Sequence, residues 1–202
     1  MKKVVAIIDI DNTSFVPVWS VARMVRTVYG ESLEMPDEYG LEFFPKHLQR
    51  FIDSLYRSEI YMCHLHRRMV CMKPVLCSMH RSFVAYKDVL FELVFLTARH
   101  SSLNRATVQM VRRTGIYNED FPVSVIVNPE KHGLVSKHYK YHEIIWIDDN
   151  PKDLRVANKL GYYTIKSKQN WNKDLKCNRE FKYWAELMNT DKIAEEVLHG
   201  ES

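Results

Sequence analysis

Apolar residues follow two different periods along this chain, and the alternation between them predicts the architecture. Val4 to Ile8 form an unbroken apolar run, the pattern of a strand buried on both faces. Strands are also expected at Leu93 to Leu96, Pro122 to Val127, Glu143 to Ile147 and Tyr162 to Ile165. Between them the spacing becomes helical. Leu103, Ala106, Met110 and Val111 share one face behind a serine cap at Ser101 or Ser102, and Gly115 stops that helix. Lys131 to about Tyr139 and Pro151 to Gly161 read as two more helices, and the tail from Glu180 carries Phe181, Trp184 and Leu187 at helical spacing. Repeated strand, helix, strand order implies parallel pairing through right-handed crossovers. The expected fold class is therefore α/β, a Rossmann-like three-layer parallel sheet.

Residues 15–88 interrupt this rhythm. Pro17 starts a helix with Val18, Val21, Ala22, Val25 and Val28 on one face and Gly30 at its stop. Leu48, Phe51, Ile52 and Leu55 mark a second helix after Pro45, and a third is expected over about Ser78 to Val89. None of these brings a strand, so 15–88 is read as a helical insert after the first strand, with 1–14 and 89–202 forming the core.

Composition narrows the class. With 202 residues and 46% hydrophobic content the chain can bury one full core and a smaller second one. A net charge of +4 favours an anionic ligand without demanding nucleic acid. The first strand begins at Val4, which leaves no room for a signal peptide, and no apolar run reaches the roughly 18 residues of a membrane span. Four cysteines, with Cys177 far from the others, do not form a disulfide pattern, so a reducing cytoplasm is the expected location.

The chemistry sits at the ends of the predicted strands. The first strand runs into Asp9, Asp11 and Thr13; the second ends in Thr97-Ala98-Arg99; the later one ends in Asp148-Asp149, with Asp153 following, and Lys131 opens the helix before it. Carboxylates at the C-terminal ends of parallel strands lie where open α/β sheets bind ligands. In this order the motifs resemble the haloacid dehalogenase superfamily of phosphotransferases, whose signature is hhhhDxDx[TV], hhh[TS], Lys, then hhh[GD]D with a further acid downstream. The resemblance covers about 130 of the 202 residues, all but the insert and the tail.

The resemblance implies a magnesium-dependent phosphomonoesterase. Asp9 is the implied nucleophile, forming an aspartyl-phosphate, and Asp11 the acid for the leaving oxygen and the base for hydrolytic water. Thr97, Lys131 and Arg99 are the implied phosphate-binding groups, with Lys137 a rival to Lys131 and Arg105 a weaker candidate. One Mg2+ is expected on Asp9, the Asp11 backbone carbonyl and Asp149, with Asp148 either a ligand or a loop-holding group. Thr13 and Asp153 are expected to orient the ligands. The insert falls where family members carry a cap that closes over the site and selects substrate. Its position, the LTAR stretch and the Asp-Asp-Asn-Pro turn look like those of 5'-nucleotidases and deoxyribonucleotidases, so a small phosphorylated nucleotide is the expected partner. Trp19, Tyr29, Phe43, Phe44 and Tyr61 are the aromatic residues available in the insert to stack a base.

Other readings stay open at this level. A polynucleotide 3'-phosphatase also ends a core strand in Asp-Asp, and its partner would be a nucleic-acid end. Metal-dependent nucleases of the PIN and NYN type share an Asp-x-Asp-Asn after an opening strand, but have no use for Thr97 and Lys131. A module that binds a phosphorylated ligand or a protein without turnover is the third. Cys63, His66, Cys77 and His80, each Cys preceding its His by three residues, have the ligand types of a structural zinc site in the insert. Buried cysteines on Met-rich helices are the commoner account of such a pattern, and that account is preferred. Oligomeric state is not encoded in any of these features.

Overall fold

The computed structural model describes residues 1–14, 17–34, 41–58, 72–116 and 123–200, excepting the side chains of 17–20 and 56. Six parallel strands make one sheet: β1 (Lys2–Ile8), β2 (Val89–Thr97), β3 (Val123–Val127), β4 (Glu143–Asp148), β5 (Tyr163–Ser167) and β6 (Arg179–Phe181), in the order β3-β2-β1-β4-β5-β6. The seven α-helices among the described residues are α1 (Pro17–Tyr29), α2 (Lys46–Arg57), α3 (Lys73–Val84), α4 (Asn104–Arg113), α5 (Lys131–His138), α6 (Pro151–Lys159) and α7 (Thr190–His199).

The continuous apolar run of β1 is explained by its central place in the sheet. Val4, Ala6 and Ile8 pack on one face with α3, α4 and α7, through Leu76, Phe83, Met110 and Ile193. Val5 and Ile7 pack on the other face with α5 and α6, through Val135, Leu154 and Ala157. Alternate side chains of one strand therefore feed two cores, which is why no polar residue interrupts it. The chain runs outward from β1 to β3 and then returns to β4, β5 and β6; crossovers of one hand put the helices of the two directions on opposite faces. This is the expected three-layer α/β architecture. Gly115 and Gly161 end α4 and α6 with φ of +69° and +75°, a backbone region that costs a side-chain-bearing residue energy.

The described helices between β1 and β2 divide between two cores. Val21, Val25, Leu48, Ile52 and Leu55 join α1 and α2 in a small apolar cluster of their own. By contrast α3, which the pattern groups with the insert, packs on the sheet: Val75, Leu76, Met79 and Phe83 enter the main core, and Phe83 stacks on Phe91 of β2 at 4.8 Å. It also starts five residues earlier than expected, because Pro74 suits the first helical turn and β2 already begins at Val89. The C-terminal tail differs as well. Phe181 lies in β6, an edge strand paired with β5, and Trp184 and Leu187 in a 3-10 turn, so α7 begins only at Thr190. Among the described residues no helix is long and apolar enough to cross a membrane.

One surface network ties the tail to the sheet. Arg179 of β6 donates from Nε to Glu196 Oε2 at 2.9 Å and from Nη2 to Oε1 at 2.6 Å, and the Tyr163 hydroxyl donates to the same carboxylate. The Arg179 hydrogen bonds hold Glu196 below the usual carboxylate range. A lowered carboxylate stabilises the fold above its unfolded pKa, and that contribution is lost as the pH falls through the lowered value. Glu196→Gln is therefore expected to cost about 1 kcal/mol at pH 7 and progressively less as the pH falls through the lowered value. Urea unfolding of both proteins across a series from about pH 7 downward checks it.

Candidate functional site

The order of the sheet reverses between β1 and β4, and both strands release acids at that crevice. Asp9 follows β1 directly, its backbone N–H donating to the Ile147 carbonyl at 2.9 Å, so that it lies beside the end of β4. Asp148 is the last residue of β4 and Asp149 the next. One ligand oxygen from each of Asp9, Asp148 and Asp149 lies within 4.8 Å of the others, the one such group among the described residues, and all three residues are buried.

Lys131 is the cation at the centre. It is the first residue of α5, and its Nζ donates to Asp9 Oδ1 at 2.6 Å and to Asp148 Oδ2 at 3.1 Å, with Asp153 Oδ2 at 3.4 Å. Lys137, two turns on, is solvent-exposed, and so is Arg105 on α4. Of the two lysines it is Lys131, at the N-terminal end of α5, that reaches the acids at the strand ends.

Asp11 is held apart from Asp9 by a different cation. Arg99 Nε and Nη2 donate to its two oxygens at 2.8 and 2.7 Å, while Nη1 donates to Thr107 Oγ1 at 3.2 Å. Thr97 Oγ1 also lies 3.4 Å from Asp11 Oδ2. Arg99, expected to bind phosphate, is thus engaged with an acid of the site, in the bidentate geometry that guanidinium and carboxylate share. Thr13 Oγ1 donates to Asp149 Oδ1 at 3.0 Å, and Asn150 Nδ2 donates to Asp153 Oδ2 at 3.0 Å. Asp148 Oδ1 accepts the Asn150 backbone N–H at 2.9 Å, so this acid does hold the loop.

Burial raises all three clustered acids. Desolvation pushes Asp9 up to about 8 despite the opposing charge of Lys131. Asp149 is raised well above its ordinary value, by burial and then by Asp148 and Asp9, and Asp148 is raised by burial against the pull of Lys131. Burial alone would lower Lys131, but Asp148, Asp9 and Asp153 outweigh it and raise it. At Asp153 burial is outweighed by the hydrogen bond from His132 and the charge of Lys131, which lower it. Among the described residues Asp149 has no cation in hydrogen-bond contact: its carboxylate accepts from Thr13 Oγ1 and Trp171 Nε1, both neutral groups. Buried carboxylates in excess of their cations require protons or a metal. An all-oxygen set of this kind fits a hard divalent cation.

Several contacts had no counterpart in the sequence pattern. Trp146 Nε1 donates to Asp148 Oδ2 at 3.2 Å and its ring stacks on His132 at 4.3 Å, and His132 Nε2 lies 3.2 Å from Asp153 Oδ1. Ser14 Oγ donates to the Asp9 carbonyl at 2.7 Å, and Trp184 Nε1 to the Thr13 carbonyl at 3.2 Å. The Asn-Trp-Asn stretch after β5 reaches Asp149 twice, through Trp171 and Asn172. Polar and aromatic residues in an otherwise irregular loop are the only advance sign of it.

No protein-family model matches this chain, and no curated protein does.

The insert contributes less that can be described. Cys63, His66, Tyr61 and the Trp19 side chain lie outside the described residues. Cys77 and His80, the other half of the expected zinc set, are on α3; Cys77 packs against the main core, and the His80 ring meets Phe91 edge-on at 6.1 Å. Of the aromatic candidates, Phe44 packs into the small insert cluster, while Tyr29 and Phe43 are exposed.

Proposed function

We propose that this protein is a magnesium-dependent phosphomonoesterase of haloacid dehalogenase type that works through an aspartyl-phosphate on Asp9. The observation that carries this reading is the convergence of Asp9, Asp148, Asp149 and Lys131 at the switch point of the sheet, with Asp11 held separately by Arg99. A structural ion-pair network needs balanced charge; a site that passes a phosphoryl group through an aspartyl-phosphate needs fixed cations around the phosphate and a carboxylate beside it.

In this mechanism Asp9 attacks phosphorus, the P–O bond to the leaving group breaks, and the leaving oxygen takes a proton from Asp11. Water then attacks phosphorus, gives its proton to Asp11, and the Asp9 carboxylate leaves. Lys131, already on Asp9 Oδ1, supplies positive charge beside the nucleophile and the incoming phosphate oxygens. Arg99 holds both Asp11 oxygens and Thr97 one of them, so Asp11 has to give up the guanidinium to carry the proton in this mechanism. Asp9, Asp149 and Asp148 are the side chains that would hold the cation, which supplies charge neutralisation of the phosphoryl oxygens.

A nucleoside monophosphate is the proposed substrate, supported by the LTAR stretch, the Asp148-Asp149-Asn150-Pro151 turn and a helical insert after the first strand. The test is phosphate release from nucleoside monophosphates, sugar phosphates and a 3'-phosphorylated oligonucleotide, with magnesium or with EDTA. Magnesium-dependent release, fastest from a mononucleotide, is expected. Preference for the oligonucleotide would replace the substrate class, and no release from a folded, metal-bound protein would overturn the phosphatase reading.

A further inference from the structure

The site's acids come from two loops, one after β1 and one after β4, and a third loop fastens both. It follows β5 and spans 168–178. Ser167 Oγ and Gln169 Nε2 donate to the Asn12 carbonyl at 3.2 and 3.1 Å, which secures the loop carrying Asp9 and Asp11. Asn12 itself has a φ of +61°, so the β1 loop turns sharply at the point where it is held. On the other side, Asn172 Nδ2 donates to the Asp149 carbonyl at 2.7 Å and Trp171 Nε1 to Asp149 Oδ2 at 3.1 Å.

Lys166 fastens this loop from within. Lys166, buried at 2% exposure, directs its ammonium into the loop and donates to the carbonyls of Asn172, Lys173 and Leu175 at 3.1, 3.3 and 2.6 Å. Asn172 Nδ2 also donates to the Ser167 carbonyl, and Asn172 Oδ1 accepts the Gln169 N–H. A buried ammonium spent on loop carbonyls, with Glu180 at 3.1 Å, does not serve the acids directly. Its effect is to fix where the Trp171 indole can reach.

We propose that Trp171, carried by this Lys166-fastened loop, is a positioning residue for a divalent cation, acting through the hydrogen bond from its indole N–H to Asp149. The inference rests on the metal reading of the acid cluster and does not depend on the phosphate chemistry. Each carboxylate oxygen has two lone-pair directions. Thr13 occupies one on Oδ1 and Trp171 one on Oδ2, so the carboxylate is oriented at both ends while each oxygen keeps a lone pair for a cation. Hydrogen bonds of this kind to a metal ligand are worth about 10–100-fold in metal affinity.

The test is calorimetric titration of the full chain with Mg2+ and with Mn2+, for wild type, Asp149→Asn and Trp171→Phe. Phenylalanine keeps an aromatic ring and removes the donor together with part of the indole's volume. Expected are binding in wild type, its loss in Asp149→Asn, and roughly 10–100-fold weaker binding in Trp171→Phe, measured at a temperature at which the metal-free variant is folded. Wild-type affinity in Trp171→Phe would overturn the proposal. As a measurement that needs no folded variant at 171, the indole N–H resonances of the wild-type protein are followed during the Mg2+ titration. The Trp171 resonance is expected to shift with saturation; a resonance that stays in place while Asp149-dependent heat is released would overturn it. Absence of any Asp149-dependent binding in wild type would remove the metal reading, and this inference with it.

Discussion

Asp9→Asn is expected to lower phosphate release by about four orders of magnitude or more, the loss seen when a covalent nucleophile is removed. The substitution isolates chemistry from folding because of how Asp9 is held. Its carboxylate is buried and pushed up to about 8 by desolvation, so a neutral amide of the same shape avoids a desolvation cost that the acid carries. The Asn carbonyl can still accept from Lys131, which keeps Asp148 and Asp153 as partners. The variant should therefore unfold within about 1 kcal/mol of wild type while losing turnover. The comparison is steady-state phosphate release and urea unfolding on the same preparations. Turnover that survives would remove Asp9 from the nucleophile's role and leave water or another group to attack phosphorus.

Lys131→Met is expected to have the largest effect on stability, about 3–5 kcal/mol at pH 9 in EDTA. The methionine fills a similar volume, so the loss is electrostatic: Asp9 and Asp148, both buried, would be left facing each other without their shared ammonium. Lys131 itself has a raised pKa, so its own contribution is present at all pH values below its ordinary range and does not titrate in the experiment. The acids do. Without the ammonium their folded pKa values rise further above the unfolded ones, and an acid raised on folding loses stability as the pH climbs from the unfolded value to the raised one. The deficit should consequently be small near pH 5, where the acids are protonated in both proteins, and large at pH 9, above the value of about 8 through which Asp9 ionises beside Lys131. Magnesium at pH 9 should recover part of it by supplying positive charge to the same oxygens. Urea unfolding at the two pH values, with and without magnesium, measures all of this. A deficit under about 1 kcal/mol at pH 9 would mean that protons, not Lys131, neutralise the cluster in the native protein.

Much of the site is legible in the amino-acid sequence because its residues sit at the ends of regular elements. Asp9, Thr97 and Asp148 each follow or close a buried-strand pattern, and Lys131 opens a helix, so periodicity locates them to within a residue or two. Legibility falls wherever position depends on a partner distant in sequence. Helical spacing shows that α3 buries an apolar face, but not that Val75, Leu76, Met79 and Phe83 meet β2 and α7 instead of α1 and α2. β6 is three residues long, too short to display an alternation, so Phe181 reads as part of a helix. Arg99 can be foreseen as a cation of the site, but its attachment to Asp11 follows from the direction of one side chain.

The amino-acid sequence by itself determined the α/β layering, the place of the insert after the first strand, and the acids and lysine at the strand ends. These follow from local rules: which positions must be apolar to be buried, and where a strand or helix stops. The tertiary structure alone decided the strand order β3-β2-β1-β4-β5-β6, and hence that Asp9 and Asp149 share one crevice. It alone brought Trp171 onto Asp149 and Trp146 between Asp148 and His132. Such contacts join residues on separate loops through single hydrogen bonds and ring faces, and a hydrogen bond of that kind imposes no period on the chain that a sequence could display.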